Sequence, residues 1–297
     1  MYIDSSNPGV VRGDAPAKIN LFLEVRNRRP DGYHEINSLF QAVSLTDRVS
    51  VSNSSGRGVR CTVIGDGNLS AGDDNLVVRA CRLMLDEFRP DGGVDVVLEK
   101  HIPVATGLGG GSSEAAAGIE ACNVLFGLGL TQQQRMQLGL RLGSDVPFFF
   151  TRGQALIRGR GEVMEETAYP TDYQLVLVNP GFPVSTPAAY AALKRGLTVP
   201  GEPFTLPCCR TVEEYVFHLG HAENDFEPVH RRTLPELGEI AAELLRRGAA
   251  LARLSGSGPT VFGLFTDRSA AQTLVEAGWG HWRIFAAAPL PLPVEAT

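Results

Sequence analysis

Thr106-Gly107-Leu108-Gly109-Gly110-Gly111-Ser112-Ser113, running on into Glu114-Ala115-Ala116-Ala117, is the stretch on which the fold turns. Four glycines within Gly107 to Gly111 carry no Cβ, so several backbone N–H groups can converge on one point. The Ala-rich run from Glu114 to Phe126 reads as an amphipathic helix with Ile119, Cys122, Leu125 and Phe126 inward, and its N-terminus adds partial positive charge behind the loop. A phosphate is the natural ligand of such a place. The Walker pattern is absent, because Ser112 and Ser113 follow without a lysine, and no G-x-G-x-x-G fits Gly107 to Ser113. The loop is therefore a phosphate loop of another type. A flexible connector is the plain alternative, but this glycine density directly before a helix carries an entropy cost that a ligand would offset.

Upstream, Ala17, Ile19, Leu21, Leu23 and Val25 fall on one face of a strand, with Lys18, Asn20, Phe22 and Glu24 on the other. Arg28-Arg29-Pro30-Asp31-Gly32 signals a turn, and Tyr33 to Val43 resumes the apolar pattern, so a hairpin is the economical reading. Asp47 to Val51, Val59 to Ile64 and Val94 to Glu99 read as further strands. Asp73-Asp74-Asn75 caps a helix from Leu76 to Phe88, with Leu76, Ala80, Leu83 and Leu85 as its buried stripe. Thr131 caps another helix to Leu142, which Gly143-Ser144-Asp145-Val146-Pro147 ends. The second half holds a strand from Tyr173 to Val178 and a helix from about Leu234 to Arg247. It closes with Leu251 to Phe265, centred on Ser255-Gly256-Ser257-Gly258-Pro259-Thr260. Strands and helices mix without regular alternation, which predicts α+β rather than a doubly wound parallel sheet.

A hydrophobic content of 43% in 297 residues excludes a disordered chain. At roughly 150 residues per domain the length fits two domains. The Gly-, Arg- and Glu-rich stretch from Thr151 to Glu166 places their boundary, giving 1–160 and 161–297. A net charge of -6 with no Lys/Arg run argues against a nucleic-acid partner. No stretch approaches the ~18 apolar residues of a membrane helix, and Met1-Tyr2-Ile3-Asp4 lacks a basic head followed by an apolar core, so a cytoplasmic protein without membrane contact is expected. Cys61, Cys81, Cys122, Cys208 and Cys209 show no metal-ligand spacing and read as reduced thiols.

Three segments in this order, Pro16-Ala17-Lys18-Ile19-Asn20-Leu21, Gly107 to Ser113 with Glu114-Ala115-Ala116, and Ser255-Gly256-Ser257-Gly258-Pro259, resemble the signatures of the GHMP small-molecule kinases. Asp31-Gly32-Tyr33-His34, Gly143 to Phe148, and Asn179-Pro180-Gly181 followed by Ser185-Thr186-Pro187 resemble the branch acting on a cytidine-diphosphate-linked methylerythritol. The resemblance runs from about Asp14 to Phe265. It implies an N-terminal domain like domain 2 of ribosomal protein S5, a ferredoxin-like C-terminal domain, and ligands in the cleft between them. The implied activity is ATP-dependent phosphorylation of the 2-hydroxyl of 4-diphosphocytidyl-2-C-methyl-D-erythritol, a step toward isopentenyl diphosphate. The implied cofactors are ATP and Mg²⁺, with a monomer or weak homodimer as the expected assembly. Mevalonate or homoserine kinases would share the phosphate loop but lack Asp31-Gly32-Tyr33-His34, and a sensor that had lost catalysis would be expected to lack Lys18 or Asp145.

By that resemblance Asp145 is the catalytic aspartate and Lys18 its partner. From the residues alone, Asp145 is equally well a helix N-cap before Pro147, and Lys18 a lysine snorkelling from a strand edge. Asn75, Lys100, Pro103 and Gly107, Leu108, Gly109, Gly110, Gly111, Ser112 and Ser113 match ATP-binding positions. Tyr33 and His34 match cytosine-reading positions, with Tyr190 as the opposite aromatic wall. Asn20, Thr186, Asp145, Gly256 and Ser257 complete the acceptor side. Mg²⁺ is expected to be held mainly by the phosphates, with Ser113 as one hydroxyl. Glu114 departs from the Asp common in the family and is left outside the site.

Overall fold

The structure, a computed structural model, describes residues 3–7, 9–65, 69–89, 91–193 and 201–291. Its first half contains β1 (Ile3–Asp4), β2 (Val10–Arg28), β3 (His34–Asn53), β4 (Gly58–Ile64), α1 (Leu76–Phe88), β5 (Gly93–Glu99), α2 (Gly110–Leu125) and α3 (Gln132–Leu140). A 3₁₀ turn over Val146–Phe150 leads to β6 (Gln154–Gly159) and β7 (Val163–Glu166). The second half contains β8 (Gln174–Asn179), α4 (Thr186–Ala192), α5 (Val212–Leu219), α6 (Glu227–Thr233) and α7 (Pro235–Arg246). It ends with β9 (Leu251–Leu254), β10 (Val261–Phe265), α8 (Arg268–Ala277) and β11 (Arg283–Ala287). One sheet runs β1-β2-β3-β5-β4, with β6 pairing β3 and β7, and the other runs β11-β8-β10-β9. The expected α+β organisation is present. Among the described residues no helix is long and apolar enough to cross a membrane. The cysteines are free, Cys208 exposed and Cys209 buried.

The predicted hairpin forms, but as one long ribbon in which Asp47 to Val51 is the far end of β3 rather than a separate strand. Its first part pairs with β6 and its last part with β5. The simple alternation along β2 fails at one point. Asn20 pairs with Phe40 while Phe22 pairs with Leu39, so Leu21 is a bulged extra residue. The bulge turns Phe22 onto the side of Ile19 and Leu21, where they pack with Leu175, Leu177 and Phe262 of the second sheet. Leu23 and Val25 pass instead into the other cluster, with Phe40, Ala42 and Ile119. One strand thereby feeds both cores, and Lys18 and Asn20 stay neighbours just before the switch.

Helix α1 is capped as its sequence predicts, Asn75 accepting from Val77 N at 3.0 Å. Its buried stripe is Val77, Val78, Ala80, Cys81, Met84 and Leu85, so Leu76 and Leu83 are only partly buried, contrary to expectation. Helix α2 begins at Gly110, four residues before the predicted start at Glu114. Gly109, at φ +70°, turns the chain into it, so Gly110 to Ser113 form the first turn rather than a loop. Nor is α2 amphipathic: every residue from Ser113 to Asn123 is buried, and its alanines and Gly118 let α1 pack close, a Cβ at Gly118 lying only 3.1 Å from the Val77 side chain.

The two halves meet through main chain as well as apolar side chains. A Cβ on Gly107 would lie 2.2 Å from the Ser255 carbonyl oxygen, so only glycine fits there. Ser255 Oγ donates to Gly107 O at 3.0 Å and Thr260 N to Thr106 O at 3.3 Å, while within the first half Lys18 N donates to Leu108 O at 2.9 Å. The run after β11 returns to β3, with Ser44 N donating to Ala288 O at 2.9 Å and Leu290 N to Ala42 O at 2.8 Å. Arg253, 5% exposed, donates to Leu21 O (2.6 Å), Leu219 O (3.0 Å) and Ala222 O (2.6 Å), tying β9 to the bulge of β2. Arg253→Met keeps the apolar stem but leaves three buried carbonyls unpaired. It is expected to lower the melting temperature by about 6–12 °C in scanning calorimetry, corresponding to about 3 kcal/mol; an unchanged melting temperature refutes this account of the seam.

Candidate active site

Lys18 leaves β2 beside the N-terminus of α2 and is 4% exposed. Its Nζ donates to Asn20 Oδ1 at 2.8 Å, lies 3.6 Å from Asp145 Oδ2, and sits 4.5 Å from the centre of the Phe40 ring. Asn20 is oriented in turn by donating from Nδ2 to Ser38 Oγ at 3.0 Å, so its amide oxygen points at the lysine. Burial pushes the Lys18 ammonium below the ordinary lysine range, and the Asp145 carboxylate pulls the other way. Asp145 occupies the cap position of the 3₁₀ turn yet makes no capping hydrogen bond. Its side chain is one-third exposed and faces Lys18. A capping role for Asp145 is therefore not what the structure shows, and Lys18 is buried rather than snorkelling.

These two residues lie on the wall of a cavity of about 420 Å³. The same wall carries Asn20, Asn75, Lys100, Pro103, the loop from Gly107 to Ser112, Thr186, Tyr190, Gly256 and Ser257. Leu108 belongs to that loop but buries its side chain in the core behind it. Ser113 is not on the wall; its Oγ is buried and has no hydrogen-bond partner. A second cavity of about 670 Å³ is lined by Tyr33 and His34, with Arg28, Ser144, Arg160, Thr186, Pro187, Tyr190 and Ala191. Arg160, Thr186 and Tyr190 belong to both walls and join the chambers. Every residue expected in the site except Ser113 thus borders this double cleft.

The aromatic chamber is arranged differently from a simple two-ring gap. Tyr190 stacks on His34, with ring centres 5.3 Å apart, and meets Phe226 edge-on at 5.0 Å. Tyr33 is exposed and lies under the Arg160 guanidinium at 5.2 Å. Burial, and then the charge of Arg28, hold His34 below the usual imidazole range, which favours the uncharged ring. Burial raises the Tyr190 phenol, and the nearby Asp145 carboxylate adds to that rise. Thr186 caps this wall by sharing a 2.9 Å hydrogen bond with the Ser257 hydroxyl.

The structure adds residues that the sequence did not mark. Lys100 Nζ lies 2.5 Å from Asp47 Oδ2 and 2.6 Å from Glu114 Oε1, all three side chains at most 4% exposed. Asp47 is fixed by accepting His101 N at 2.6 Å and Ile102 N at 2.8 Å. Glu114, left outside the site on sequence grounds, therefore lines the glycine-walled chamber and contacts a lysine directly. Its extra methylene, compared with Asp, spans the distance. Burial pushes its carboxyl up to about 7, with Lys100 opposing and Asp47 adding to the rise. A charged residue inside an apolar strand, as at Asp47, was the available signal; its partner lay 53 positions away. Among the described residues no cluster of three His, Cys, Asp or Glu could hold a metal ion.

This geometry agrees with the comparisons to known proteins. The GHMP kinases N terminal domain matches residues 75–153 and the GHMP kinases C terminal domain residues 212–278. The 4-diphosphocytidyl-2-C-methyl-D-erythritol kinase of Syntrophotalea carbinolica is 43% identical over 93% of this chain and 98% of its own, and that of Geobacter metallireducens is 41% identical over 89% and 93%. A crystal structure of 4-(cytidine 5'-diphospho)-2C-methyl-D-erythritol kinase, 36% identical, superposes with a TM-score of 0.78 over 94% of this chain and 99% of that one. Glycine loop, a buried lysine facing an aspartate, and nearly full-length similarity converge: the chain belongs to the GHMP kinases and, within them, to the 4-diphosphocytidyl-2-C-methyl-D-erythritol kinase family.

Proposed function

We propose that the protein transfers the γ-phosphoryl group of ATP to the 2-hydroxyl of 4-diphosphocytidyl-2-C-methyl-D-erythritol, giving the 2-phosphate and ADP, in non-mevalonate isoprenoid precursor biosynthesis. The observation that carries this reading is the Lys18–Asp145 pair, set on one wall with the glycine loop and within a cleft whose other chamber is aromatic. The names of the relatives support it. ATP lies along Asn75, Lys100 and Pro103, with its phosphates on Gly107 to Ser113, where the first N–H groups of α2 are unpaired within the helix.

Asp145 accepts the proton of the 2-hydroxyl as the phosphoryl group arrives, and Lys18 orients both. At 3.6 Å the pair is longer than a good hydrogen bond, which leaves room for the acceptor hydroxyl to bridge it. Because the transition state of phosphoryl transfer is loose, placing this hydroxyl in line matters more than the basicity of Asp145. Lys18, already drawn toward a neutral state by burial, gains from the negative charge that a bound triphosphate brings. Asn20, Thr186, Gly256 and Ser257 hold the polyol side, and Arg160 supplies positive charge suited to the diphosphate where the chambers join. The cytosine sits between Tyr33 and Tyr190, moving His34 off Tyr190 to the edge of the base, where a neutral imidazole offers one donor and one acceptor.

Mg²⁺ would be brought in on the nucleotide phosphates. Ser113 Oγ is unpartnered but buried behind the wall, and Asp47 and Glu114 are already engaged by Lys100, so the phosphates themselves would be the main ligands of the ion. When bound, the ion offsets charge on the phosphate oxygens. We further place the domain division at 1–160 and 161–297, and regard the protein as a cytoplasmic monomer or weak homodimer that binds neither nucleic acid nor membrane.

Asp145→Asn is expected to lower kcat by about 10²–10⁴-fold while the ATP KM stays within about threefold, in a coupled assay of ADP release; unaltered kcat removes Asp145 from the chemistry. Tyr33→Ala and His34→Ala should each raise the KM for the cytidyl substrate by roughly 5–100-fold without moving that for ATP, and equal losses for both ligands would argue against a cytosine chamber. A Cβ at Gly110 lies 3.2 Å from Ile102 Cγ2 and 3.3 Å from Lys100 Nζ, so Gly110→Val is expected to abolish ATP binding in calorimetric titration. Retained binding would place the phosphates elsewhere.

A further inference from the structure

Residues 223–226, at the end of the connection from α5 to α6, and the first turn of α6 as far as His230 are tethered at nearly every step. Leu23 N donates to Glu223 O at 3.0 Å and Asp225 N to Leu23 O at 2.9 Å, forming a short parallel bridge just past the bulge of β2. Asn224, wholly buried, donates from Nδ2 to Leu254 O and to Gly256 O, both at 2.9 Å, while its Oδ1 accepts Phe226 N at 3.0 Å. One turn into α6, His230 is 5% exposed and its Nε2 lies 2.9 Å from Ser257 O. A carbonyl only accepts, so Nε2 carries the hydrogen, and Nδ1 is buried without a partner.

The segment thus holds consecutive carbonyls of the Ser255–Gly258 loop from behind. That loop needs outside support. Gly256 and Gly258 both lie at positive φ, and its own main chain supplies only Ser255 N to Thr260 O at 2.9 Å and Gly258 N to Ser255 O at 3.0 Å. In front, the Ser257 hydroxyl meets Thr186, which borders both chambers. Leaving a buried ring nitrogen unpartnered is costly, and a histidine kept only for packing could be replaced by an apolar residue without that cost. The arrangement makes sense if the Nε2 bond to Ser257 is what the position is for.

We propose that Asn224 and His230 are positioning residues for the phosphoryl acceptor: they touch no ligand, but fix the Gly256 and Ser257 backbone so that the Ser257 and Thr186 hydroxyls face the acceptor together. This rests on the acceptor reading given above. His230→Gln places an amide N–H near the position of Nε2, whereas His230→Asn places one near Nδ1 and cannot reach Ser257. The test measures KM for ATP and for the cytidyl substrate, calorimetric binding of that substrate, and melting temperature, in the wild type and both variants. His230→Asn is expected to raise the acceptor KM and Kd about tenfold with the ATP KM within about twofold, and His230→Gln to return acceptor affinity to within about threefold of wild type. Equal acceptor affinity in the two variants, or losses for ATP and acceptor that simply follow melting temperature, overturns the proposal. A wild type that binds the cytidyl substrate beside a His230→Asn variant that binds it as well sinks the positioning role alone. A wild type that does not bind it sinks the acceptor reading, and this proposal with it.

Discussion

The backbone of the phosphate loop lies directly against the Ser255 carbonyl, and the rest of the cleft depends on that contact. Because Gly107 has no side chain, two loops from different halves of the protein approach main chain to main chain. This places the first turn of α2, the Lys18 strand and the Ser255–Gly258 loop around one small volume. Any larger residue would push the loops apart and widen the glycine-walled chamber that both of them line. The tolerance is set by hard-sphere repulsion at 2.2 Å, where neither a rotamer change nor a flexible side chain can give relief.

Around this contact the structure handles buried charge in three ways. Lys100 is enclosed by two carboxylates, so its cluster carries a formal excess of negative charge, which the pushed-up Glu114 carboxyl relieves by taking a proton near neutrality. Arg253 faces carbonyl oxygens instead, and burial draws it below the ordinary arginine range although Glu227 and Glu223 oppose the shift. Lys18 has a single carboxylate at 3.6 Å, an amide oxygen and a ring face, which leaves its hydrogen-bonding capacity partly unspent. That incompleteness separates it from the other two. Lys100 and Arg253 are satisfied within the protein, whereas Lys18 is set up to be completed by a ligand.

Much of this was legible in the residues. The glycine density at Gly107 to Gly111, the Asn75 cap and the hairpin at Arg28 to His34 each follow from short-range chemistry, and the structure contains all of them. The bulge at Leu21 was not legible, because strict alternation continues through it in the sequence; only pairing with Phe40 and Leu39 reveals the extra residue. The early start of α2 was hidden for a related reason: glycine is a poor helix former, and the first turn exists because tertiary packing overrides that propensity. Asp47 and Glu114 lay far from Lys100 in the chain, and Asn224 and His230 in a stretch without any recognised pattern. At Asp47 a charge within an apolar strand marks one member of such a pair, but nothing local identifies its partner.

The return of residues 288–290 to β3 has a consequence for how the molecule comes apart. The hydrogen bonds from Ser44 to Ala288 and from Leu290 to Ala42 close the end of the second half onto the central ribbon of the first. Together with a strand, β2, that contributes to both apolar clusters, this leaves no plane along which the halves separate without stripping core from each. The two sheets are therefore coupled, and loosening one is expected to weaken the other rather than leave it intact. A cleft built between two halves gains rigidity in this way, since neither wall loosens without weakening the other.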